Sequence, residues 1–150
     1  MSSTDGAPVG DIITESWDRV VPKITDANRY FWQGGADGRL HIVRCTNCGL
    51  YLHPPRPVCR RCHSTAVAPE PVSGRGRVYS YTINHYQWVP GFDPPYVIAT
   101  VELDEQSDLH LLTNLVDCPD DELRCDLAVE VLFAHHRDVY IPIFRPAGLR

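Results

Sequence analysis

Two Cys-x-x-Cys pairs, Cys45 with Cys48 and Cys59 with Cys62, lie ten residues apart in the stretch CTNCGLYLHPPRPVCRRC. Each pair turns two sulfurs toward one ion, and two pairs complete a tetrahedral shell of four thiolates. Gly49 follows the first pair, where a tight knuckle favours a residue tolerant of positive φ. The spacing predicts one structural metal ion on Cys45, Cys48, Cys59 and Cys62. Zinc is the expectation; iron takes the same ligand set, and spacing does not separate the two. Cysteines left free or joined as disulfides are the alternative. A catalytic zinc keeps an open position for water or substrate. A saturated shell therefore predicts no chemistry at the metal, only the folding of a segment too small to bury enough apolar surface. His41, His53 and His63 lie near the pairs but face a filled shell. Arg44, Arg56, Arg60 and Arg61 either offset the thiolate charge or grip a phosphate or an acidic partner. Cys118 and Cys125 stand apart and read as small buried apolar groups.

Other acid–base candidates are His85, Asp93, His110, His135 and His136. None falls in a nucleophile motif, and the chain lacks a Gly-x-Ser-x-Gly elbow, a P-loop and a dinucleotide fingerprint. No catalytic residue is assigned, so the reading is of a chain not catalytic alone. A single-stranded nucleic-acid-binding module is a competing reading. It needs a positive groove with stacking aromatics. Charge argues against it. Residues 36–77 carry seven arginines and two acids, whereas residues 78–150 carry twelve acids and four arginines. The start, MSSTDGAPVG, has no basic or apolar signal region, and no run of about 18 apolar residues occurs, which predicts a cytoplasmic protein away from membranes. Reduced cysteines fit that compartment.

The elements around the cysteines divide the chain into three predicted parts. Residues 1–35 are read as a loose tail over 1–9 and a helical hairpin. Its helices run from Asp11 to Val21, with Ile13, Trp17, Val20 and Val21 near helical spacing, and from Thr25 to Gln33, with Gly34-Gly35 as the stop. Residues 36–77 hold a strand in ADGRLHIVRC, a short return strand Leu50–Leu52 and a linker, Ser73 to Arg77. Residues 78–150 hold five strands: VYSYTINH, YVIATVEL, LHLLTNLV, LAVEVLF and DVYIPIF. Tyr79, Tyr81 and Ile83 alternate with polar residues, and Val97, Ala99, Val101 and Leu103 share a face. Pro142 is placed at an edge or strand end. Thus the fold class is mainly β: a helical hairpin, a rubredoxin-like zinc ribbon and a five-stranded OB-fold barrel. CPDDELRC between strands three and four has room for one helical turn. The stretch from His85 to Tyr96 is long for a hairpin and carries Tyr86, Trp88, Val89, Phe92 and Tyr96. It reads either as an interface or as a plug over the barrel mouth.

In combination these motifs resemble an acyl-CoA-associated zinc-ribbon/OB-fold family, formerly a domain of unknown function. The resemblance covers about residues 28–133. It rests on Phe31-Trp32, both cysteine pairs, Gly74 and Gly76 with Tyr79, Pro95-Tyr96 and Val101-Glu102-Leu103. Two turns depart from it: Gln106-Ser107 and Asp126 stand where glycine is common. The resemblance implies a helper subunit of a thiolase-superfamily, lipid-transfer-protein-like acyl-CoA enzyme. It implies an aldolase of steroid side-chain degradation first, and an acyltransferase or hydratase as the alternative. It also implies a heterotetramer of two enzyme and two helper chains, and access to acyl-CoA through the complex. With Met1 at its start, the chain is read as free-standing. Trp88 and Phe92, or else Tyr30, Phe31 and Trp32, are the expected docking residues, and the basic ribbon leaves room for coenzyme A phosphates.

Overall fold

The computed structural model describes residues 10–148; the loose tail expected over 1–9 lies outside them. Nine strands and one short helix follow in order. These are β1 (Ile12–Ile13), α1 (Arg29–Gln33), β2 (Leu40–Cys45), β3 (Tyr51–Leu52), β4 (Val67–Val72), β5 (Arg75–Asn84), β6 (Tyr96–Leu103), β7 (His110–Leu115), β8 (Ala128–His136) and β9 (Val139–Pro146). One sheet has the order β3-β2-β4. The other runs β1-β8-β5-β6-β7-β9, and β9 pairs back onto β8, which closes a five-stranded barrel with β1 attached outside.

The helical hairpin is corrected. Asp11 to Val21 forms an extended strap, whose Ile12 and Ile13 pair in parallel with Phe133 and Ala134 of β8. Backbone bonds from Gly10 to Gly38, from Phe133 to Asp11 and from Asp18 to Gly91 fasten it along its length. The apolar spacing that mimicked a helix serves a strand and an irregular run. The second helix shortens to α1, which continues as a 3₁₀ turn over Gly34–Asp37. The α-helix ends where expected, with Gly34 as its C-cap, and the 3₁₀ turn that follows ends at Gly38 (φ 79°).

The ribbon gains a strand that the sequence hides. Pro69 and Pro71 argue against a strand over Val67–Val72, yet β4 pairs in full with β2, with Val43 opposite Pro69 and His41 opposite Pro71. β4 is an edge, where proline is tolerated. The supposed linker shrinks to Ser73-Gly74, and β5 begins at Arg75. β2 serves two cores at once. Leu40 and Ile42 join the barrel cluster, while Val43 and Cys45 join the ribbon cluster.

Inside the barrel, Ala99, Val101 and Leu103 of β6 face inward as expected, against Val78, Leu111, Val129, Phe133 and Phe144. The alternation in β5 is broken by a register shift between Val78 and Ser80. Val78 turns inward, and Tyr79 turns out to stack on His110 at 4.3 Å. Pro142 lies within β9, opposite Phe133, rather than at its end. The Phe133 amide donates to the carbonyl of Asp11, just before β1, so this pair exchanges no ladder bonds, and the nitrogen of Pro142 faces away from β8. Its carbonyl accepts the Thr113 hydroxyl at 3.0 Å. The missing N–H therefore costs no bond to β8. Between β7 and β8, the run from Cys118 to Cys125 makes only turns.

Gly74 has φ +76°, and a Cβ there would meet Val131. A Cβ at Gly76 would run into the backbone carbonyl of Glu102 on β6. That carbonyl cannot retreat without breaking the barrel. Gly76→Ala should lower stability by about 1–3 kcal/mol, read as an earlier urea midpoint. An unchanged midpoint would refute this close approach.

Candidate metal centre and its surroundings

The four ribbon sulfurs lie within 4.8 Å of one another. Cys45 to Cys62 and Cys48 to Cys59 are each 3.6 Å between sulfurs. This is too long for a disulfide of about 2.05 Å. It is near the roughly 3.8 Å edge of a tetrahedron with metal–sulfur bonds of about 2.3 Å. Cys45 closes β2, and Gly49 (φ +84°) turns the chain back into β3. N–H groups aim at the sulfurs: Cys48 N at Cys45, Arg61 N at Cys59 and the Asn47 side-chain amide at Cys62. The Asn47 amide, with the backbone at Ser64, holds the Cys62 thiol down to about 6. The backbone N–H of Leu50 lowers Cys48, but burial and the three facing sulfurs push it up to about 11. Four adjacent sulfurs ionise together only around a cation, and these donors fit one. Such an ion would be held by Cys45, Cys48, Cys59 and Cys62, and it would supply a cross-link rather than an open coordination site.

Arg44, Arg60, His41 and His53 are taken by other partners. Arg44 donates to the Gly49 carbonyl at 2.9 Å and sits over the Tyr51 ring at 4.6 Å. Arg60 approaches Asp108 at 3.7 Å; Arg56 and Arg61 are exposed. His41 contacts the Arg39 carbonyl. His53 leaves the cluster to stack on Phe31 at 5.1 Å, and burial holds its pKa below the ordinary value. Cys118 packs at the edge of the barrel core, whereas Cys125 is exposed, which corrects its expected buried role.

The acid–base candidates do not converge. His110 meets Glu102 at 3.2 Å on the outer barrel wall. His135 stacks on Tyr140 at 4.2 Å, and Asp93 accepts from Gln87 in the first barrel loop, beyond the exposed His85. His136 turns to Glu15 of the strap at 2.8 Å. Glu15 also pairs with Arg19, whose other arm reaches Asn114 of β7 at 2.8 Å. Glu15, Arg19 and His136 are only 10–13% exposed. Sequence reading missed this knot because His136 and Asn114 lie about a hundred residues from Glu15 and Arg19 and follow no period.

The expected docking residues separate. Trp88 is 70% exposed and its ring meets that of Tyr86 at a tilt, with centroids 4.6 Å apart. Phe92 turns inward between Trp17, at 4.2 Å, and Tyr96, at 4.4 Å. The loop thus divides into an exposed half around Trp88 and a packed half around Phe92. Phe31 is buried in the core, and Tyr30 and Trp32 are half-buried at its edge. Burial pushes the Tyr30 phenol up to about 12. Tyr30, Trp32 and Phe92 help to line a cavity of about 760 Å³ between the strap, α1 and the barrel.

A family model described as the ChsH2 rubredoxin-like zinc ribbon domain matches residues 32–68, and one described as the ChsH2 C-terminal OB-fold domain matches residues 69–134. The chain belongs to the ChsH2 family. A probable enoyl-CoA hydratase alpha subunit of Thermomonospora curvata is 35% identical over 84% of this chain and 39% of its own length. A 3-oxo-4,17-pregnadiene-20-carboxyl-CoA hydratase alpha subunit of Mycobacterium tuberculosis is 37% identical over 56% of this chain and 27% of its own. The chain thus spans well under half the length of these hydratase subunits. The benzoylsuccinyl-CoA thiolase subunit BbsA of Thauera aromatica is 31% identical over 78% of this chain and 81% of its own. A solved chain of an Ltp2-ChsH2(DUF35) aldolase superposes with TM-score 0.76 and 35% identity, covering 85% of this chain and 99% of that one. Of the two turns that depart from the family's glycines, Asp126 takes the glycine-like φ of 68° itself. Gln106 uses its amide to bond both backbone groups of Tyr51, tying the barrel to the ribbon.

His53 offers a pH test. Its folded pKa lies below the value of about 6.5 in an unfolded chain. As pH falls below about 6.5, the unfolded state takes up a proton that the folded state refuses, and stability drops. His53→Leu should flatten the loss of urea stability between pH 7 and pH 5. An identical slope in the variant would contradict this assignment.

Proposed function

We propose that this chain is the non-catalytic, zinc-bearing partner subunit of a thiolase-superfamily, lipid-transfer-protein-like acyl-CoA enzyme. The enzyme is an aldolase that shortens a steroid side chain by retro-aldol cleavage. What supports this reading above all is the match along 99% of the helper-sized chain of the Ltp2-ChsH2(DUF35) aldolase. The ribbon adds to it, because four thiolates saturate zinc and leave bond-breaking to another chain. The carboxyl-CoA steroid in the name of the mycobacterial relative supports the choice of acyl group. The complex is read as two enzyme and two helper chains in the cytoplasm. Among the described residues, no helix is long and apolar enough to cross a membrane.

The docking surface centres on the outward pair of Tyr86 and Trp88. Exposed aromatic side chains of this kind anchor interfaces. The indole N–H of Trp88 bonds Asn84 at 2.9 Å, which fixes the ring on the surface. Phe92 packs on Trp17 and Tyr96, and Tyr30, Phe31 and Trp32 are half-buried or buried at the core edge, so none of them makes the first contact. A second reading has the names of relatives on its side: the partner is a hydratase or an acyltransferase of acyl-CoA thioesters, held by the same surface.

Co-expression with a thiolase-like protein and with a hydratase should yield a stable complex with the former, and retro-aldol release from a β-hydroxyacyl-CoA only when both chains are present. Trp88→Ala should weaken capture by roughly 30-fold or more, the range of an interface anchor, with the melting temperature of the isolated chain unchanged. Turnover by this chain alone, or full capture by the variant, would overturn the reading.

A further inference from the structure

The strap lies upstream of both family-model matches, which begin at residue 32. Asp18 to Pro22 nevertheless form one wall of the 760 Å³ cavity. That volume is within the range of roughly 300–1,000 Å³ that holds drug-sized ligands. Rings reach it from Trp32, Phe92 and Tyr96, and branched groups from Leu111, Ile141 and Ile143.

The polar groups around the cavity are turned to other work. Asn114 accepts from Arg19 and donates to the Val97 carbonyl at 2.8 Å. Arg19 is held by Glu15, and Thr113 donates to Pro142. Asn28 is taken by Thr25 and Lys23. The Tyr30 hydroxyl and His53 Nδ1 have no partner, yet both are sealed from solvent. The surface left to a guest is mostly hydrocarbon. Its rim is apolar as well, with Val20 80% and Leu112 72% exposed. Asp18, exposed at the mouth, disfavours a free carboxylate and tolerates an uncharged thioester.

We propose that this cavity receives the bulky hydrocarbon part of the acyl group, and that the strap is the wall that sets its size. This rests on the acyl-CoA reading above for the source of the guest. The Glu15–Arg19–His136 knot and the Trp17–Phe92 stack hold the strap at its distance from β7 and β9. Because the strap belongs to neither matched module, it is where this chain can differ in acyl preference from relatives that share the ribbon and barrel.

Equilibrium dialysis of the full-length, metal-loaded chain against progesterone, a neutral four-ring probe, and methyl decanoate, a linear one, tests the proposal. Progesterone should bind saturably at one site per chain and more tightly than the linear ester. Val20→Trp and Leu112→Trp narrow the mouth from exposed positions and should weaken it by about tenfold or more, the scale of steric mismatch in an apolar pocket. Trp88→Ala should leave probe binding unchanged. In the active complex, the two mouth variants should raise KM for a polycyclic acyl-CoA with kcat preserved. Absence of saturable binding, equal binding of the linear ester, or indifference to both mouth variants would overturn the inference. Capture of the partner without probe binding would sink the cavity and spare the partner reading; probe binding without capture would do the reverse.

Discussion

A ribbon made of three short strands must hold its shape with five buried core residues, Val43, Cys45, Leu50, Leu52 and Cys59, two of which are themselves candidate ligands. Burial on that scale does not order a segment of this length in water. Convergence of the four sulfurs supplies what is missing, because a shared ion ties the knuckle after β2 to the knuckle before β4 and makes one unit of both. The rest of the molecule leans on that unit. β2 passes Leu40 and Ile42 into the barrel core, Tyr51 of β3 takes the amide of Gln106, and the amide of Ser73 donates to Glu105. Ribbon and barrel are therefore joined by side chains of a strand whose order depends on the sulfurs.

The second fixed body is the barrel, and the strap is clasped to it. Its fastenings are of unlike kinds: a two-residue parallel ladder at Ile12–Ile13, an ion pair of Asp11 with Arg145, the knot around Glu15 and the ring stack at Trp17. None is large alone, and exposed pairs such as Asp11–Arg145 contribute little. The nearly buried knot matters more, since removal of one member would leave a charge without its partner in a poorly hydrated place. Together they keep extended chain next to a barrel that already closes without it, and the cavity is the space left between them.

What was legible in the sequence follows from the range of the interactions. Two Cys-x-x-Cys pairs are a local pattern, so the clustering of their four sulfurs could be read directly. The barrel strands carry period-two alternation, as in Val97 to Leu103, and were placed to within three residues at each end. Proline misled at Pro142, where the lost N–H faces away from β8, a fact of register that composition does not carry; the strand over Val67–Val72, with Pro69 and Pro71, went unread. The strap misled because Ile13, Trp17, Val20 and Val21 fit helical spacing, while their fixing contacts come from β8, β7 and the first barrel loop. Phe92 and Trp88 sit four residues apart with similar chemistry, and only the presence of Trp17 beneath one of them decides which faces water.

The central claim is a closed four-sulfur centre that scaffolds a helper subunit and takes no part in bond-breaking. X-ray absorption at the metal edge of the purified chain, with and without an acyl-CoA thioester, tests it most directly. The account predicts a zinc edge with four sulfur neighbours at about 2.3 Å and an identical spectrum after the thioester is added. An oxygen or nitrogen neighbour, or a spectrum that changes with the thioester, would contradict it.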